Sequence, residues 1–164
     1  MTRVILQPAS DDHFRKTVRN AVPLSKIKPF LDVEEVRFLT HEWPEGARIW
    51  GVTPGGELRN AKKWDRFEMG DLVLFCGNGK AFASAFVRYK LRNPPLARAL
   101  WGEDDKGQTW EYIYFVSPPE RRAMAYHEMN SVLGYSLDFV YRGVMLLSDA
   151  KSKALMTAFG LVDD

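Results

Sequence analysis

The sequence predicts an α+β domain in which a small mixed β-barrel is flanked by α-helices. Three observations lead there. Five strand-like runs fall within about 80 residues in the middle of the chain, helical patterns occupy both ends, and 164 residues with 46% hydrophobic content suffice for one buried core without staples. The expected organisation is a single unit over 1–164: residues 1–35 pack a strand and helices onto the barrel, 36–117 form it, and 118–164 add C-terminal helices and a strand. No internal repeat, low-complexity tract or long Gly/Ser linker interrupts this reading.

The elements follow in order. "RVILQP" reads as a strand that Pro8 stops, and "SDDHFRKTVRNAV" as a helix with Ser10 as N-cap and Phe14, Val18 and Val22 at helical spacing. "PLSKIKPFL" is a short helix or turn anchored by Leu24, Ile27 and Leu31. From residue 35 the expectation turns to strands: "EVRFL", "ARIWGV", "DLVLFC", "AFASAFVRYKL" and "WEYIYFV". Between the second and third, "NAKKWDRFEMGD" is expected to be helical up to Gly70, and "GNG" at 77–79 to turn a hairpin. "SPPERRAMAYHEMN" is expected to open a helix with prolines in its first turn. "FVYRGVMLL" is a further strand, and "SDAKSKALMTAFG" a last helix with Ser148 as N-cap and Gly160 as C-cap. The end of the sequence shortly after that helix fits both a natural terminus and a domain cut from a longer protein.

The chemistry that is missing narrows the function. No P-loop, dinucleotide-binding glycine fingerprint or nucleophile elbow occurs. His13, His41 and His127 lie far apart and read as surface or satisfied core residues, and Cys76 is alone, so neither a metal nor a disulfide is expected. Asp104 and Asp105 read as solvated loop acids. No cofactor is implied, and a binding module is favoured over an enzyme. No run approaches the roughly 18 apolar residues of a membrane span. Residues 1–20 carry Arg3, Asp11, Asp12, Arg15, Lys16 and Arg19, unlike a secretory signal, so a cytoplasmic protein without membrane contact is expected. The net charge is only +2, yet Arg48 to Arg98 holds ten Lys or Arg against four acids. Such a stretch is either a solvated face or the electrostatic footprint for a phosphate backbone.

The segment "ARIWGVTPGGELRNAKKWDRFEMGDLVLFCGNGKAFASAFV" ends a strand in Ile-Trp, crosses a basic helix and meets Gly-Asp before an apolar strand. Completed by "ALW", a polar loop and "WEYIYFV", this order resembles the EVE and YTH branches of the PUA-like superfamily over residues 36 to about 117. The resemblance implies a PUA-like, EVE-type mixed barrel that binds nucleic acid and takes a modified base into an aromatic cage, as in specificity domains of modification-dependent restriction enzymes. It places Trp50 and Trp101 as cage walls and Gly51, Val52 and Thr53 as the segment facing the base edge. The third wall comes in that family from the loop after the second tryptophan, here polar. Asp104, Asp105 and Gln108 would then read the base edge, unless Trp43, Phe75 or Tyr114 reaches in.

A flipped base offers two flat faces and a polar edge, which such a site would match. Lys62, Lys63, Arg66, Lys80, Arg88, Lys90 and Arg92 are the residues expected to meet phosphates. Trp64 and Trp110 read as framework, and core burial stays open for Trp50 and Trp101. The expected partner is double-stranded DNA carrying a modified base, modified cytosine ahead of methyladenine, with a fused or associated nuclease. An RNA reader, an enzyme using the 103–105 carboxylates and a protein-interaction module are the rival readings.

Overall fold

A computed structural model describes residues 2–161 and shows mixed α/β architecture with seven strands and seven helices. The strands are β1 (Val4–Pro8), β2 (Arg48–Val52), β3 (Leu72–Gly77), β4 (Lys80–Arg92), β5 (Tyr112–Val116), β6 (Glu120–Ala125) and β7 (Met145–Leu146). The helices are α1 (Asp11–Phe14), α2 (Leu24–Ile27), α3 (Val33–Glu42), α4 (Arg59–Asp65), α5 (Pro94–Trp101), α6 (Tyr126–Leu133) and α7 (Asp149–Phe159). Strand order runs β2-β5-β4-β3-β1-β7, with β6 added to β4. The path is open, with β2 and β7 at its ends, so the expected closed barrel is replaced by an open sheet.

The chain divides into two compact units that alternate along the sequence. The first draws on the segment up to Ser10, Phe67–Val87 and the chain from Pro119, and the second on Asp11–Arg66 and Arg88–Pro118. In the first, β1 lies parallel to β3 and antiparallel to β7, and β3 returns into β4 through Asn78 and Gly79, both at positive φ. That pair is the Asn-Gly signature of a tight hairpin whose twist suits the strands. The core gathers Val4, Leu6, Leu72, Leu74, Met129 and Leu155 beneath α6 and α7. Ser148 caps α7 through its side chain and Gly160 closes it in the left-handed conformation, as the sequence predicts.

In the second unit β2 and β5 are antiparallel, with Trp50 opposite Tyr114 and Gly51 opposite Ile113. Its core is Val22, Ile27, Leu39, Ile49, Leu96, Ile113 and Phe115. "EVRFL" is not a strand but the middle of α3. Asp32 and Glu35 form a reciprocal capping box that starts the helix, and this stabilisation outweighs the strand preference of Val36 and Phe38.

Three further boundaries differ from expectation. The first helix stops early: α1 passes into a π-turn over Arg15–Arg19, and Val22 is extended, bridged to Ala47. α4 ends at Asp65, short of Gly70. The region after Pro119 begins as β6, because Lys80–Ser84 of β4 offers an edge for it to pair with, and the helix starts only at Tyr126. Of "FVYRGVMLL", only Met145–Leu146 joins the sheet.

Candidate functional site

The second unit holds a cleft lined by His13, Trp50, Gly51, Trp101 and Trp110. Each wall has its own origin. Trp50 comes from β2 and is buried, Trp101 ends α5, Trp110 stands just before β5, and His13 lies in α1. Gly51 is required here: a Cβ at this position would collide with the Trp110 carbonyl and stand 2.9 Å from Cζ3 of Trp101. The Trp101 ring therefore rests on bare backbone. His13 sits edge-on to Trp110 at 5.4 Å and to Trp50 at 6.5 Å. Burial, then the Lys16 charge, lowers the His13 pKa, with Asp12 opposing.

The hollow measures about 140 Å³ including its open mouth, and it leaves no room for the centre of a water molecule. Nε1 of Trp101 is buried with no hydrogen-bond partner. Trp64 provides the contrast. Its Nε1 donates to the Ile113 carbonyl at 3.0 Å, Lys90 Nζ lies 4.6 Å above its ring, and Tyr112 meets it edge-on. Trp64, expected to be framework, is half-buried with its donor satisfied. Trp110 is not confined to framework, because it walls the same cleft as Trp101.

The remaining residues singled out by sequence are dispersed. Asp104 is used by its own loop: Oδ1 accepts from the backbone N–H groups of Lys106 and Gln108, each at 2.9 Å. Asp105 is exposed, Gln108 is half-buried, and no residue from Glu103 to Gln108 lines the cleft. Trp43 stacks on Phe115, 5.4 Å between centroids, and belongs to the margin of the unit's core. Phe75 is buried in the first unit, and Tyr114 is buried opposite Trp50. Val52 is buried and Thr53 half-buried, its Oγ1 3.5 Å from the Asn60 side-chain amide that donates to it.

The basic residues separate by how they are used. Lys62 is exposed on α4, Arg66 is exposed just past its end, and Lys80 is exposed at the start of β4 in the first unit. Lys63 is half-buried, its pKa lowered by burial and then by Arg59. Lys90 donates to the carbonyls of Trp64 and Asp65, capping the end of α4. Arg92 pairs with Glu111 at 2.6 Å, and Arg88 is half-buried. Among the described residues, no group of three or more His, Cys, Asp or Glu is placed to hold a metal ion, and no helix is long and apolar enough to cross a membrane.

No sequence-family model and no curated protein sequence matches the chain. Among solved structures it is similar to the N-terminal domain of McrB from Thermococcus gammatolerans, determined bound to m5C DNA. The TM-score is 0.67 and the identity 14%, with 97% of this chain and 98% of that domain covered. At this identity the likeness establishes a shared fold.

Proposed function

We propose that this chain is a non-catalytic reader of modified DNA. It flips a methylated base, modified cytosine ahead of methyladenine, into the cleft of Trp50, Trp101, Trp110 and His13. That cleft is the observation that carries the reading. It offers flat aromatic walls over a glycine floor, no carboxylate lines it, and it lies in a fold shared with a domain bound to m5C DNA. Stacking is worth about 1–3 kcal/mol per base and extrusion costs a few kcal/mol, so one aromatic slot roughly offsets flipping, and phosphate contacts supply affinity. Because the cleft is too narrow for a base in the free protein, its rings must separate to admit one. The proposed setting is the specificity domain of a modification-dependent restriction endonuclease acting on DNA in the cytoplasm, with cleavage in a fused or associated nuclease.

Lys62 on α4 and Arg66 at its end are the foremost phosphate contacts in this reading, with Lys63 and Lys80 next in rank. Arg88, Lys90 and Arg92 follow, the last two already committed to α4 and Glu111. The deciding experiment compares duplexes differing only by one cytosine methyl at fixed salt, with 2-aminopurine beside it to report unstacking. Preferential binding with a fluorescence rise is expected, and equal binding of the two duplexes would refute the reading. Neutralising Lys62, Lys63 and Arg66 together should weaken both duplexes alike and lower the slope of log affinity against log salt by up to about three. An unchanged slope would place these charges away from the backbone.

A further inference from the structure

We propose that the indole N–H of Trp101 is the donor by which the cleft recognises its ligand, and that the ligand supplies the missing acceptor. This rests on the modified-DNA reading, and the acceptor is then carried by the flipped nucleotide.

Three observations converge on this atom. It is a buried donor with no partner. The residue that carries it walls the cleft. The backbone that carries the ring is held on both sides of it. Lys16 Nζ donates to the Leu100 carbonyl at 2.7 Å, Thr109 Oγ1 donates to the Gly102 carbonyl at 2.7 Å, and the indole lies against Gly51. Native proteins pair nearly all buried polar groups, so a donor held unpaired in an aromatic cleft is a cost retained at a site whose ligand relieves it. Stacking alone accepts any flat ring, whereas a buried donor penalises a ligand without an acceptor. The free cleft therefore stores part of the discrimination that binding releases.

Replacing the indole by its sulfur isostere, Trp101→benzothienylalanine, keeps the stacking surface and deletes only the N–H. The melting temperature of the free protein should rise, because the orphan donor is gone. Affinity for the methylated duplex should fall about 5- to 100-fold. The same replacement at Trp64, whose N–H is already bonded to Ile113, should lower the melting temperature and leave the preference for methylated DNA unchanged. Methylphosphonates flanking the methylated base locate the acceptor. A loss that disappears with them assigns it to a phosphate, and a loss that persists assigns it to the base or sugar. Undiminished affinity of the Trp101 variant, with the methyl preference intact, would overturn this inference and leave the modified-DNA reading standing. Failure of the unaltered protein to prefer methylated DNA would overturn both.

Discussion

The first unit's tyrosine cluster and the second unit's tryptophan cleft are both aromatic, yet they treat their polar atoms in opposite ways. In the first, Tyr126 meets Tyr141 edge-on at 4.7 Å, and Phe139 contacts both Tyr135 and Tyr141. Fully buried Asn130 accepts from the Tyr141 hydroxyl and donates both amide hydrogens, to the carbonyls of Leu137 and Phe139. Burial pushes the Tyr126 hydroxyl up to about 12, and Tyr141 is raised by the same cause, so both stay protonated. The result is a satisfied network that fixes the loop from Ser136 to Val140. In the second unit the donor of Trp101, a residue that walls the cleft, is left unpaired. A closed set of hydrogen bonds marks framework, and an open one among aromatic walls marks a place for something else.

The comparison breaks most visibly at Asn130. Asn130→Ala strands two carbonyls and a hydroxyl, at about 1–3 kcal/mol for each group that water cannot reach. Part of the loop is exposed, so a total loss of about 3–5 kcal/mol is expected in urea unfolding. The preference for methylated over plain DNA should not move. If it falls in step with stability, the two clusters are not separate in function.

Next in size is Trp110→Ala, which should remove about 1–3 kcal/mol of binding to methylated duplex by titration while the protein remains folded. Trp50→Ala sharpens the contrast. Trp50 is only 6% exposed within β2, so its truncation should also cost about 3–5 kcal/mol of stability. Equal binding losses from Trp110→Ala and from a surface control outside the cleft would remove Trp110 from the site.

The smallest effect belongs to His13. Its folded pKa lies below the unfolded value of about 6.5, so the native state binds its proton less readily. The associated stability is fully present above about pH 6.5 and is lost as pH falls through that value toward the folded pKa. The wild type should therefore lose stability relative to His13→Phe between pH 7.5 and pH 5.5, by less than about 1 kcal/mol because His13 is partly exposed. A constant difference across that range would mean that His13 does not titrate in the cleft.

How much of this was legible varies with the range of the forces involved. β1, β3, β4 and α7 carry local signals strong enough to read: an apolar run stopped by Pro8, the Asn78-Gly79 turn, and the Ser148 and Gly160 caps. α3 was also written locally, in Asp32-Val-Glu-Glu35, and weighing that capping box above the β-branched run would have found it. β6 had no such signal, because its strand state depends on the edge that β4 presents.

For the cleft, sequence marks Trp50 and Trp101 through their neighbouring glycines and the order of motifs, and it marks a basic middle third. It could not pair Trp110 and His13 with them. Trp110 precedes a strand whose alternation puts no clean face inward, and His13 is an isolated histidine nearly 40 residues before Trp50, joined to it only in space.

What the sequence determined by itself is the set of residues and local states: aromatic plates, a bare Gly51, α4 charges and capped helices, all matters of composition and short-range hydrogen bonding. Only tertiary structure decided which polar atoms find partners. Asp104 turns its carboxylate to its own loop, Lys90 to the end of α4, and Arg92 to Glu111, while Trp64 reaches Ile113 and Trp101 reaches nothing. Two tryptophans in one unit thus become a support and an open donor. Hydrogen bonding is satisfied or denied within about 3 Å, and distances of that order between segments far apart in the chain exist only once the fold has closed around them.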